Sequence, residues 1–218
     1  MSMTSGLIAI KGEHLDKLPE ILAFYERIDT EGDQPIENWD KAWEIVHPLR
    51  EASPDDTSEK HMVGSVNGWT IIEDFDHLMS IDEDALLKIS QHLSTPVFSL
   101  MTQGTSNCWG FWYFDKVKRR SFYNEDGVVT DNFGEPLAEE AGFNLNEDGF
   151  YDDIHGVAKN FGIDWEGMFT AENMHAFIIK KLDYEGERRQ EALALLARYY
   201  ANKAEEKKMK KPWWKIWA

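Results

Sequence analysis

One cysteine, Cys108, stands among 218 residues. No disulfide can close within this chain, and zinc ribbons or fingers, which need several cysteines, are excluded. The usage suits a reducing compartment. Long hydrophobic runs are also missing. No stretch approaches the roughly eighteen apolar residues that a spanning helix needs. Residues 1–14 carry no basic segment and only the short apolar run Gly6 to Ile10, which reads as neither a signal peptide nor a membrane anchor. The expectation is a soluble, cytoplasmic protein. Positive charge is scarce too. Lys and Arg number 23 against 40 Asp and Glu, a formal net charge of −17. Such a body repels phosphates, so nucleic acid is not an expected partner, and it attracts basic ones.

Large apolar side chains are plentiful. Nine Trp, twelve Phe and a hydrophobic fraction of 42% describe a folded chain with a substantial core. Gly6 to Gly12 reads as a short buried strand bounded by glycines. Leu15, Leu18, Ile21, Leu22, Phe24, Tyr25 and Ile28 are spaced to suit one helical face and predict a helix over 13–28, with Pro19 tolerable in its first turns. A second helix is expected from about Asn38, its N-cap, to Arg50. Residues 51–60, EASPDDTSEK, read as a long loop.

Residues 61–74 read as a strand or hairpin, with Asn67-Gly68 as the tight turn. Asp82-Glu83-Asp84 opens a helix that runs to Leu93, its acidic first turn matched to the helix dipole. Three strands follow, over 96–103, 108–114 and 119–124, with a short fourth at 128–130, as an antiparallel meander. Residues 132–153 are irregular and acidic, a short helix spans 154–161, and 174–182 lean toward strand. Residues from Gly186 to about Met209 predict a long C-terminal helix. The fold class is α+β. The expected organisation is one domain over 1–206, with an N-terminal helical subregion of about 1–50, followed by a basic, Trp-rich tail at 207–218.

No HExxH, P-loop, GxGxxG or GxSxG is present. Counting an EF-hand from Asp74 puts Met79 where glycine is needed and Ala85 where glutamate is needed, so that pattern fails. The expectation is no catalytic residue, no cofactor and no metal. An enzyme with a site gathered from dispersed residues, around Asp152, His155 and Cys108, stands as an alternative. Asp152 and His155 are three apart and would share a helix face. The simpler reading makes Asp152 or Asp153 a helix cap.

The tail, KKMKKPWWKIWA, contrasts with the body. Residues 203–218 sum to +4, leaving −21 on the other 202. Trp213, Trp214 and Trp217 can pack back on the body, settle with the lysines at an anionic membrane surface, or bind another chain.

Residues 68–162 carry, in order, GWTIIEDFD, an amphipathic helix, PVFSLMTQGTSNCWGFWYF, RRSFYN, GEPLAEE and the start of FGID. This succession resembles small bacterial proteins, biochemically uncharacterised, of the kind encoded as immunity partners of polymorphic toxins. The resemblance implies a single α+β domain with no catalytic residues of its own, which binds and blocks a toxin. The acidic residues Asp131, Glu135, Glu139, Glu140, Glu147, Asp152 and Asp153 form the expected partner surface, toward a basic protein. Trp213, Trp214 and Trp217 are the expected second contact, and the membrane is a weak partner through the tail alone. A peripheral membrane adaptor using that tail is the remaining alternative.

Overall fold

β1 (Thr4–Lys11) contains Leu7-Ile8-Ala9-Ile10, and all four side chains are buried. Successive strand residues point to opposite faces, so a strand buried throughout must lie inside a sheet covered on both sides. That is its position in the computed structural model, which describes residues 4–25, 27–29, 34–36, 38, 41, 44, 58–74, 77–164 and 174–181. β1 pairs antiparallel with β5 (Trp69–Glu73) on one side and with β6 (Val97–Gln103) on the other.

From β6 the sheet continues as the expected meander through β7 (Cys108–Phe114), β8 (Lys118–Glu125) and β9 (Val128–Phe133). From β5 it continues to β4 (Ser58–Val66) and β10 (Met174–Lys181). The far edge of β10 is shared by β2 (Arg27–Asp29) and β3 (Gln34–Ile36). Every described pairing is antiparallel, which gives an α+β fold around one ten-stranded sheet. The β4–β5 turn is Asn67-Gly68 with φ of 52° and 74°, the positive values that a type I′ hairpin demands. Asp126-Gly127 repeats the device between β8 and β9, with φ of 50° and 80°.

Each sheet face has its own core. Ile8, Ile10, Ile72, Val97, Trp112 and Phe114 meet α1 (Leu18–Ala23) and α2 (Glu83–Leu93). Leu7, Ala9, Phe98, Trp109, Phe111 and Phe122 meet α3 (Tyr151–Asn160) through Ile154, Val157 and Ala158. Burying each such large side chain contributes about 1.5–3 kcal/mol, before the entropy of ordering it is subtracted. Asp82 caps α2 by accepting the Ala85 amide at 3.0 Å, as its acidic opening suggests.

Several expectations change. The helix over 13–28 is a 3-10 turn at Leu15–Lys17 followed by the six-residue α1. Ile28 belongs to β2, because Arg27–Asp29 pair with Lys181–Ile179 of β10. A distant strand thus overrides the local helical period. The loop at 51–60 is shorter than expected, since Ser58–Lys60 begin β4. The short helix expected at 154–161 is α3, which starts at Tyr151, three residues early. Residues 174–181 are strand, as the sequence leaned. Asn38 Oδ1 accepts the Lys41 amide at 3.1 Å, the expected cap bond, but most of 38–50 lies outside the described residues. So do the long C-terminal helix and the Trp-rich tail.

Candidate functional site

The acidic stretch after β9 is held to the sheet by one buried ion pair. Gly134 has φ of +82°, and a Cβ there would overlap the Arg119 carbonyl, so only glycine lets the chain turn back across β8. The 3-10 turn Ala138–Glu140 then delivers Glu140 to Arg120. Arg120 Nε donates to Glu140 Oε1 at 2.7 Å and Nη2 donates to Oε2 at 3.0 Å. Arg120 Nη1 donates to Asn132 Oδ1 at 2.6 Å and to the Phe133 carbonyl at 2.9 Å. Glu140 Oε1 also accepts the Leu137 amide at 2.9 Å. Arg120 is 2% exposed and Glu140 8%. A bidentate pair with its remaining polar atoms satisfied is the arrangement in which burying two charges is tolerable. Glu140 therefore leaves the expected partner surface: it closes the GEPLAEE loop from inside.

Asp131 also has a different position. It lies on the α2 face, where Lys118 Nζ approaches its Oδ2 at 3.5 Å and Ser121 Oγ donates to the same oxygen. Lys118 reaches Glu83 Oε2 at 2.8 Å, and the Trp112 indole N–H donates to Glu83 Oε1 at 3.1 Å. The Lys118 ammonium also stands 5.1 Å from the Phe133 ring centre. Asp131 is thus one corner of a network that ties β8 and β9 to the first turn of α2.

The rest of the acidic set collects around α3. Asp153 caps its start: Oδ2 accepts the Phe150 amide at 3.0 Å, and Oδ1 accepts the Asn144 amide at 3.1 Å. Asp152, beside it, is exposed. Glu139 is half-buried, and its carbonyl accepts Asn160 Nδ2 at 2.9 Å. Glu135 and Glu147 are exposed, as is Asp148, which the sequence reading passed over. Trp213, Trp214 and Trp217 lie outside the described residues.

Glu147 and Asp148 overhang a shallow groove of about 330 Å³, lined also by Val129, Asn132, Leu145 and Asn146. Its wall is fixed by the Asn124 side chain, whose Nδ2 donates to the Asn146 carbonyl at 3.4 Å, and by Asn146 Oδ1, which accepts the Asp148 amide at 2.7 Å. Its floor is the edge strand β9. Val128 and Phe133, at the two ends of β9, and Phe150, just before α3, are exposed at 56%, 49% and 70%. Two carboxylates and no cation line this groove.

Asp152, His155 and Cys108 do not come together. Cys108 is buried in the core on the α1 and α2 face, while α3 covers the opposite one. The sheet separates them. A buried polar cluster that the sequence reading missed sits where β5 leaves the sheet. His61, Glu73, Asp74 and His77 are all under 9% exposed. Asp74 Oδ2 accepts the Met79 and Ser80 amides at 2.9 and 2.7 Å, and His61 Nδ1 lies 2.8 Å from the Glu73 carbonyl. Ser99 Oγ donates to the Leu7 and Ser80 carbonyls. These bonds hold the turn that leads into α2. The available signal was the charged pair Glu73-Asp74 at the end of a strand with no exposed face. Among the described residues, no group of three or more His, Cys, Asp or Glu is arranged to hold a metal, and no helix is long and apolar enough to cross a membrane.

Two tyrosines on opposite faces titrate late. Burial raises Tyr113, with Asp115 and Glu139 adding to it and Arg119 opposing. Burial, then the neighbouring Cys108 thiol and Glu125, pushes Tyr123 up to about 12. No protein-family model, no curated protein and no solved structure matches this chain.

Proposed function

We propose that this chain is a non-catalytic, cytoplasmic protein-binding protein that engages a basic partner through its acidic α3 side, and that its role is that of an immunity protein neutralising a toxin domain. One observation carries the reading. Between Glu125 and Asp164, eleven residues are acidic and one, Lys159, is basic. Arg120, the cation buried under this stretch, is consumed internally by Glu140. Glu135, Glu147, Asp148 and Asp152 are left facing solvent. A field of one sign accelerates encounter with an oppositely charged protein by roughly 10 to 10³ and discriminates against acidic ones. The resemblance of residues 68–162 to immunity proteins supports the same direction.

The test uses the full chain as bait in extracts of the cells that encode it, at low salt, eluted with a salt step. A second bait carries Glu135→Gln, Glu147→Gln, Asp148→Asn and Asp152→Asn. The expected result is one basic protein, stoichiometric on the first bait, released by salt and depleted about tenfold or more on the second. That protein, expressed alone, should arrest growth, and co-expression of this chain should relieve the arrest. A partner held equally by both baits, or no basic partner at all, overturns the reading.

A further inference from the structure

Resting on that reading, we infer that the partner is bound by strand addition: a basic, extended segment pairs along the free edge of β9 and drops alternate side chains into the groove beside it. β9 ends the sheet, and among the described residues only β8 pairs with it. Alternate residues of an edge strand turn their amide and carbonyl groups outward, where another strand can satisfy them. Natural edges are usually blunted by lysine, proline or inward charge. VVTDNF has no lysine, arginine or proline. Its blunting devices are the charge of Asp131, half-buried on the α2 face, and a bulge at Thr130, which the pairing skips between Val129 and Asp131.

The groove gives the edge its selectivity. A strand added beside β9 alternates its side chains between the two sheet faces. On the α3 face they meet Val129, Leu145, Glu147 and Asp148. On the α2 face they pass Asp131, which Lys118 only partly neutralises at 3.5 Å. Carboxylates flank both faces of the edge, so the added strand is basic. The same charges argue against a second copy of this chain as the occupant. Pairing β9 with itself would set Asp131, Glu147 and Asp148 of one copy near those of the other, and like charges across a ladder are destabilising.

The experiment uses the full chain and two probes: an acetylated, amidated peptide alternating lysine and valine over six residues, and the same peptide N-methylated at every residue. Methylation keeps the charges and removes the backbone N–H of every residue, leaving only the terminal carboxamide as an amide donor. Affinity is read by fluorescence anisotropy at low salt. Amide exchange is followed across residues 128–133. Strand addition predicts that the unmodified peptide binds, slows exchange within 128–133, and outcompetes the methylated one by about tenfold or more. It also predicts weaker peptide binding after Glu147→Gln with Asp148→Asn. Equal binding of both peptides overturns strand addition while leaving the acidic-surface reading intact, as does failure of both to bind. Exchange in 128–133 that is already as slow as in β7 before peptide is added also overturns it: concentration dependence would then identify a second copy as the occupant, and its absence another segment of this chain. The function itself falls only on the pull-down.

Discussion

On the α1 and α2 face of the sheet, three carboxylates meet a basic side chain from another element, although Asp16 and Asp84 form no ion pair among the described residues. Glu83 and Asp131 share Lys118, and Glu20 lies 2.7 Å from His92 Nε2. On the α3 side, the matched carboxylate is the buried Glu140, and Glu135, Glu147, Asp148 and Asp152 have no ion pair among the described residues. Both faces bury aromatic and aliphatic cores of similar kind, so the asymmetry does not follow from packing. It separates two uses of the same residue type. Where a carboxylate meets an arginine, lysine or histidine from another element, it joins parts of the fold. Where it does not, its charge remains available to something outside the molecule.

The largest expected effect comes from breaking the matched pair on the α3 side. Arg120→Met strands the Glu140 carboxylate in a site that is 8% exposed. Removing one partner of a buried pair costs about 3–5 kcal/mol. Pairing Arg120→Met with Glu140→Leu removes both charges and should recover most of that loss. Urea denaturation of the two variants decides it. A single substitution costing less than about 1 kcal/mol would mean that water or a local shift relieves Glu140, and that Glu140 belongs with its exposed neighbours after all.

Glu139 and Glu140 also mark where sequence reading stops. They are adjacent and chemically alike, and the order GEPLAEE does not say which one turns inward. That depends on Arg120, twenty residues earlier, and on the strand that places it. β6, β7, β8 and α2 were legible to within a residue or two, because alternation, turn residues and capping act over a few positions. The Asn67-Gly68 hairpin was legible for the same reason. β2 was not, since its partner lies some 150 residues downstream in β10. The split of the acidic set between two faces needed the register of β9 against β8, which one bulged residue alters.

A smaller effect tests the matched side. Lys118→Met leaves Glu83 and Asp131 without their shared cation, and makes that face resemble the α3 side. The three side chains are 24%, 40% and 36% exposed, so water already screens the network. The expected loss is up to about 1 kcal/mol, shrinking as salt is added. Urea melts at low and high salt measure it. A loss several times larger and insensitive to salt would show that Lys118 acts through packing against Phe133 and not through charge.

The smallest effect vanishes at neutral pH. Tyr123 on the α2 face and Tyr113 on the α3 face are both protonated there, folded or unfolded. Above pH 10 the unfolded phenols ionise, while Tyr123 in the fold holds its proton to about 12. The folded state then binds more protons than the unfolded one, so stability is intact below pH 10 and is lost as pH rises toward 12. Tyr113 contributes in the same direction, from a shift whose largest cause is again burial. A tyrosinate absorbance titration of the folded chain should show a late phase, and Tyr123→Phe should remove part of it. Added salt should move both components only slightly, since burial is the largest cause at each and salt screens only the contributions of Asp115 and Glu139 at Tyr113 and of Glu125 at Tyr123. A late phase that disappears in high salt would show that the carboxylates around these rings, and not their burial, hold the protons in place.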